Sequence, residues 1–418
     1  MKLYRLPLFC LLLSSVITFA QNEPEKQNGH NDTNKFRQMY DLMATPNMYR
    51  TASGAPGPEY YQQQADYKMD IELDDKNARL SGVETITYYN NAKESLDYLW
   101  LQLDQNRRNK NSVTKKNSSS YIDPAISTQG FSKKYLEEDA ERGFNIMSIT
   151  DDKGKPLSYT INETMMRINL VEPLPHGAKM VFTIKWWYNI NNYMIEGGRS
   201  GYEHFDSDGN NLYVLAQFFP RMAVYNDVEG WQNMQFWGSG EFALAFGNYE
   251  VNVTVPADHV MNATGVLLNK EEVFTPAQLK RWALAEKSYD NPVVIVTQEE
   301  AQKAEKGFSN QKKTWKWKAE NVRDFGISTS RKFIFDAMAV KMGDRTVMAE
   351  SLYPKEGNPL WEQYSTRAVA HTLKSYSSYT FDYPYPKAVS VNAQDQGMEY
   401  PMICWNFGRP EPNGTYSD

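Results

Sequence analysis

At 418 residues the sequence is long enough for two or three domains, and a makeup of 23% charged and 13% aromatic residues, with 27 Tyr and 10 Trp, excludes a chain that is disordered throughout. The formal net charge of −6 and the lack of a long basic tract exclude a nucleic-acid partner.

In chain order, Lys2 and Arg5 precede a mainly apolar run from Leu8 to Ala20, which gives way to a polar stretch at Gln21. This is the pattern of a secretory signal peptide over 1–20, too short to span a membrane. No later stretch approaches the ~20 apolar residues of a spanning helix, so no membrane span is expected after cleavage. The expected location is secreted or periplasmic, and losing Lys2 and Arg5 takes the formal charge from −6 to −8. Cys10 lies in the leader behind the bulky Phe9, so lipidation is not expected. Cys404 is then the single cysteine of the exported chain, and packing rather than a disulfide must stabilise it.

Residues 21–58 are polar and read as a flexible leader with a short helical patch at Phe36–Met43. From Tyr67 the pattern alternates: Tyr67, Met69, Ile71 and Leu73 lie on one face, Lys68, Asp70 and Glu72 on the other. That is a half-buried strand, turned at Asp74-Asp75-Lys76-Asn77 into a second through Val83–Tyr89. Further strands are expected around Leu99–Leu103, Met166–Leu170, Met180–Trp186, Tyr249–Val255, Thr314–Trp317 and Lys332–Phe335. Short strands with polar turns at this frequency indicate a large, mostly antiparallel assembly.

Two helices interrupt it within an insertion at about 275–307. Thr275-Pro276-Ala277-Gln278 and Thr297-Gln298-Glu299-Glu300 each place a capping hydroxyl three residues before a Gln or Glu. A third helix starts at Asn358-Pro359, with Trp361, Tyr364, Ala368, Val369, Leu373 and Tyr376 on a 3.6-residue period, and stops before Pro384. A strand at Ala388–Val391 then leads into Gly397-Met398-Glu399-Tyr400. There Glu399 is a lone carboxylate able to hold an ammonium group by a charge-assisted hydrogen bond, and Gly397 removes bulk where another backbone could approach.

The stretch Gln396-Gly397-Met398-Glu399-Tyr400 resembles the exopeptidase element, ideally Gly-x-Met-Glu-Asn, of the aminopeptidase N family of zinc metallopeptidases, the gluzincin aminopeptidases. Asp227–Trp231, Gly238–Phe242 and Phe246–Pro256 look like the segment in which that family's β-domain approaches its active site, and Trp361–Pro386 looks like the first helix and loop of its thermolysin-like domain. The likeness covers most of residues 59–418. It departs from the ideal at Gln396, where Gly is expected, and at Tyr400, where Asn is expected, which bears on aminopeptidase specificity.

The resemblance implies a mainly β chain: a large antiparallel β-sandwich or saddle-like domain over 59–351, then the truncated start of an α/β thermolysin-like catalytic domain over 352–418. It implies a hydrolase that removes N-terminal residues from peptides, with the peptide laid along the strand edge and its amine held by Glu399 beside Met398 and Gly397. Gln217, in Ala216-Gln217-Phe218-Phe219-Pro220-Arg221, matches a β-domain residue that shares this amine. The family's zinc sits on a His-Glu-x-x-His helix with a Glu from the next helix. The five histidines here are His30, His176, His204, His259 and His371, and no two are four apart.

No zinc ligand and no catalytic residue is therefore assigned in this chain. Zinc belongs to the complete enzyme, and the 418-residue chain alone is expected to be inactive. Asp206–Asn210 lacks the later Glu of a calcium loop and reads as a hairpin turn, and Gly197–Gly201 lacks the Lys-Ser/Thr ending of a phosphate loop. Asn117-Ser118-Ser119 is an Asn-x-Ser site, marking a surface loop. The alternative is a secreted β-rich module that binds glycans or peptides through exposed aromatics. Oligomeric state and substrate preference are not legible.

Overall fold

The computed structural model describes residues 46–118, 125–131, 141–238, 243–411 and 415. The expected signal peptide, the leader up to residue 45 with its Phe36–Met43 patch, Ser119 and residues 239–242 lie outside the described residues. Met1–Tyr60 and Tyr61–Asp418 are separate compact units. In the first, residues 46–58 make local hydrogen bonds. Asn47 Oδ1 accepts from the N–H groups of Tyr49 and Arg50 at 2.8 and 3.0 Å, and Arg50 bridges Pro56, closing a tight loop.

In the second unit the alternating pattern does what its period dictates. In strand Gln64–Asp74, Tyr67, Met69, Ile71 and Leu73 are buried while Lys68, Asp70 and Glu72 are exposed. Each such apolar side chain contributes roughly 1.5–3 kcal/mol by leaving water. This strand is the fourth of a seven-stranded sheet in the order Val266–Leu267, Lys312–Val322, Gly247–Pro256, Gln64–Asp74, Arg79–Tyr89, Lys179–Asn189, Asn145–Asp151. All neighbours are antiparallel except Gln64–Asp74 with Gly247–Pro256.

Two four-stranded sheets follow. One has the order Arg221–Met222, Leu96–Gln102, Met165–Leu174, Tyr159–Asn162; the other Val260–Ala263, Ile327–Ser330, Asn210–Leu215, Gly201–Phe205. Gly201–Phe205 and Asn210–Leu215 pair antiparallel across the Asp206–Gly209 turn, as a hairpin rather than a calcium loop. Tyr67, Phe219, Tyr249 and Phe325 stack into one core, with Tyr67 and Tyr249 ring centroids 4.7 Å apart. The protein is mainly β, as its alternation implies.

Both predicted capping boxes form. Thr275 caps helix Pro276–Ala285 and Thr297 caps helix Gln298–Glu305, each reciprocated by Gln278 or Glu300. Trp282 of the first helix packs on Phe274 and Phe335.

The six-stranded sheet that carries the Gly-Met-Glu element has the order Val293–Val296, Ile334–Met342, Arg345–Tyr353, Lys387–Asn392, Ile403–Asn406, Gly397–Tyr400. Its first three strands are antiparallel, the next two join in parallel, and Gly397–Tyr400 closes the edge as a hairpin with Ile403–Asn406. The expected division at 351/352 falls inside strand Arg345–Tyr353, so one sheet draws on both sides of it. Helix Thr366–Tyr379 lies on this sheet, burying Ala370 and Leu373 against Met338, Val340 and Val347. The helix predicted from Asn358-Pro359 begins instead with a π-helical turn, Trp361–Ser365. There Thr366 and Ser351 hydrogen-bond at 2.7 Å, and Thr366 also donates to the buried Asp336.

Candidate functional site

Strand Gly397–Tyr400 has one partner, Ile403–Asn406, and its other edge is unpaired within the sheet. The alternation exposes Gly397 and Glu399 and buries Met398 and Tyr400. A Cβ on Gly397 would meet nothing within 4 Å, so no contact within the chain requires glycine there, and the space beside it is open. Glu399 is the direct cross-strand partner of Cys404. Cys404 in turn lines an apolar groove of about 960 Å³ between the sheet and helix Thr366–Tyr379, together with Val369, Leu373 and Tyr376. The groove is flanked by exposed aromatics: Tyr364 is 61%, Tyr376 71% and Phe407 71% exposed.

What fixes the strand is on its buried face. The Tyr400 ring packs edge-on against Trp405, centroids 5.5 Å apart, and both rest on Gly326, where a Cβ would come within 2.6 Å of Trp405 and 3.2 Å of Tyr400. The Tyr400 hydroxyl accepts the Gln217 N–H at 2.9 Å, and Tyr400 helps to lower the pKa of the buried Asp324. Asp324 accepts the Phe325 N–H at 2.8 Å and pairs with Arg221, which reaches Asp104 at 2.6 Å. Burial pushes the Asp324 carboxyl up, with the Arg221 charge and these donors opposing it. For Arg221 burial works against the charge, yet Asp104 and Asp324 together raise its pKa.

Gln217 thus meets the candidate strand on its buried face through Tyr400, while Glu399 lies on the opposite, exposed face. The Gln217 backbone has φ of 53°, a left-handed conformation unusual for a side-chain-bearing residue, and it is held by Tyr400 on its N–H and by Gln105 Nε2 on its carbonyl at 2.9 Å. Met398 meets Arg199 Nη1 at 3.2 Å through its sulfur, and Gln396 Nε2 donates to the Gly198 carbonyl at 3.0 Å. The glycine-rich loop at 197–201 therefore lies against the start of the strand. Sequence reasoning missed this neighbour, together with Arg221 and its two acids, because the partners stand more than a hundred residues apart in the chain.

Zinc finds no fitting donor set among the described residues. The one cluster of three acids, Asp208, Glu305 and Glu356, is occupied by ammonium groups. Lys332 Nζ lies 3.0 Å from both Glu305 and Glu356 and also pairs with Asp208, and Lys355 Nζ lies 2.5 Å from Glu305. With two cations in place this is an all-oxygen ion-pair network, not a nitrogen- and sulfur-rich zinc site. His259 is fully buried, with Nδ1 3.1 Å from Thr329 Oγ1, and burial lowers its pKa to about 3. His176 and His204 bond Ala92 O and Asn211, and His371 is exposed on its helix. Trp187 of the seven-stranded sheet, the kind of aromatic platform a glycan binder would use, has the Arg79 guanidinium 4.3 Å from its ring.

No protein-family profile and no curated protein matches the sequence. Among solved structures, similarity is found to a mutant of an M1 zinc metallopeptidase from Deinococcus radiodurans at 14% identity and a TM-score of 0.48, over 83% of this chain and 60% of that one. A two-domain M1 zinc metallopeptidase bound to L-tryptophan matches at 13% identity and 0.48, over 84% and 62%. The Deinococcus radiodurans enzyme bound to a Tyr-Ser-Ala substrate matches at 13% and 0.46, over 82% and 59%. The chain thus spans less than two thirds of the length of these proteins.

Proposed function

We propose that this chain is the N-terminal part of an exported zinc aminopeptidase, in which Glu399 and Gln217 hold the α-ammonium of a peptide laid along the unpaired edge of Gly397–Tyr400. The observation that carries the reading is the contrast within that strand. Met398 and Tyr400 are locked into a buried polar and aromatic network, while Glu399 stands exposed on a free edge beside an apolar groove.

A rigidly anchored strand presents its free N–H and C=O groups for strand addition, and a carboxylate at a fixed height along it selects peptides by their leading amine. The zinc-bearing helices of the complete enzyme would come from further polypeptide, seated on the groove between the sheet and helix Thr366–Tyr379. Zinc would supply a polarised carbonyl and an activated water there. No residue described here takes that part.

The test is titration calorimetry with the purified chain and a free-amine tripeptide amide against its N-acetylated form. The expected result is at least tenfold preference for the free amine, abolished by Glu399→Gln. Equal binding of the two peptides, or a preference that survives in Glu399→Gln, refutes the reading. A second measurement follows aminoacyl-arylamide hydrolysis. The 418-residue chain is expected to show none, and chelator-sensitive turnover would place zinc ligands within it.

A further inference from the structure

At the far end of the candidate strand the consecutive Arg107 and Arg108 meet with no ion-pair partner among the described residues, Asp104 and Glu196 acting on them only from a distance. Arg108 is buried. Its Nη1 donates to Gln105 Oε1 at 3.1 Å and its Nη2 reaches the Ser200 carbonyl at 3.5 Å. Arg107 is half-buried, and its Nε is buried with no hydrogen-bond partner. Both reach Gly198, where a Cβ would collide with Arg108 Nη2 and lie 3.4 Å from Arg107 Nη1, while the Arg107 guanidinium also packs against Gly238 and lies 5.7 Å from the Phe236 ring centroid.

Among the described residues no carboxylate lies within ion-pairing distance of either. The nearby acids are engaged elsewhere, Glu196 by Arg142 at 2.6 Å and Asp104 by Arg221 at 2.6 Å. The surroundings are also short of acceptors, for the buried Tyr188 hydroxyl, which feels the Arg108 charge, has no partner. Burying adjacent like charges is costly, and an anion would offset that cost.

The place of this pair relates it to the candidate site. Gly198, against which both arginines lie, holds Gln396 through its carbonyl, and Arg199 touches Met398. From Glu399 back to Gln396 is three strand residues, about 10 Å. An extended tripeptide spans about the same from its amine to its carboxylate.

We propose that Arg107 and Arg108 form a carboxylate-binding site that receives the C-terminal carboxylate of a three- or four-residue peptide lying along Gly397–Tyr400. The pair thus marks the substrate class as short free peptides. The peptide runs antiparallel to the strand, its leading nitrogen at Glu399 and its trailing acid beside Gly198. This placement rests on the aminopeptidase reading above, but the site itself does not.

The test uses the full 418-residue chain and two N-acetylated tripeptides, N-acetyl-Ala-Ala-Ala as the free acid and as the C-terminal amide, with affinity read by titration calorimetry at low ionic strength. Acetylation removes the amine, so a failure of recognition at Glu399 leaves this comparison intact. The expected result is a preference of about tenfold for the acid, falling below about threefold in Arg107→Gln. Arg107→Gln is also expected to leave the thermal midpoint within about 2 °C, because relief of the like charge offsets the lost contact with the Phe236 ring, whereas a structural role would lower it further. Equal binding of acid and amide, no binding of the acid at millimolar concentration, or an acid preference unchanged in Arg107→Gln overturns the proposal.

Discussion

Tyr400→Phe isolates what holds the candidate strand in place, because it removes one oxygen and leaves the ring packed on Trp405. That hydroxyl accepts the Gln217 N–H at 2.9 Å, with Tyr400 itself only 8% exposed. Losing it strands a buried amide donor, at about 1–3 kcal/mol. Part of this is offset because the hydroxyl need no longer be desolvated, so a net destabilisation of about 1–2 kcal/mol is expected.

Urea unfolding of the full chain reads it as a lower midpoint with an unchanged slope. The loss has a pH signature as well. Burial already holds the Asp324 pKa above its ordinary 3.8. Losing the hydroxyl, whose influence lowers it, raises it further, and a folded state that binds its proton more tightly than the unfolded chain loses stability as pH rises. The deficit of the variant is therefore expected to be larger at pH 7 than at pH 4. A loss below about 0.5 kcal/mol, or one with no pH dependence, would refute the role assigned to this hydroxyl.

Asp336 is buried between the sheet and the π-helical turn, and burial raises its carboxyl to about 7 against the donors Thr366 and Tyr353. Its contribution to stability is present below its unfolded value of 3.8 and falls as pH rises toward 7, by up to about 1.4 kcal/mol per pH unit. Asp336→Asn should flatten the stability–pH curve across that window in urea titrations at several pH values. Gly326→Ala forces a Cβ to within 2.6 Å of Trp405 and is expected to cost about 1–3 kcal/mol by overpacking, read in the same assay. Glu399→Gln, on an exposed edge position, should change stability by less than about 0.5 kcal/mol while abolishing the preference for a free amine.

The parts of the fold with a simple period were legible. Tyr67–Leu73 alternates because one face of its sheet is buried, and the two capping boxes announce their helices because a hydroxyl and a Gln or Glu three residues on satisfy each other's backbone donors. Strands Ile334–Met342 and Arg345–Tyr353 were harder. Both are buried along most of their length, so they lack alternation, and the Gly343-Asp344 turn between them was the signal that could have found the hairpin. The π-helical turn at Trp361–Ser365 hides inside an apparently regular 3.6-residue period, and its extra residue turns the following helix so that Thr366, Ala370 and Leu373 are buried while Tyr364, Ala368 and Tyr376, expected on the apolar stripe, are exposed. At the candidate site, Glu399 and Gln217 could be named from local motifs. Asp104, Arg221 and Asp324 could not, because their meeting depends on three sheets being assembled.

The sheet that crosses residues 351 and 352 has a consequence for how the protein is made. Ile334–Met342 and Arg345–Tyr353 emerge in succession from the ribosome and can pair at once, but the partner of Arg345–Tyr353 on the other side is Lys387–Asn392, which arrives only after a helix and a loop have been synthesised. At roughly 5–20 residues per second, that edge waits on the order of seconds with its amides and carbonyls bare. Val347, Ala349 and Leu352, fully buried in the finished molecule, lie in the waiting strand. Nascent chains of this protein should therefore engage general chaperones while residues 354–386 are being translated, and slower elongation there would lengthen the interval in which neighbouring nascent chains can pair with one another.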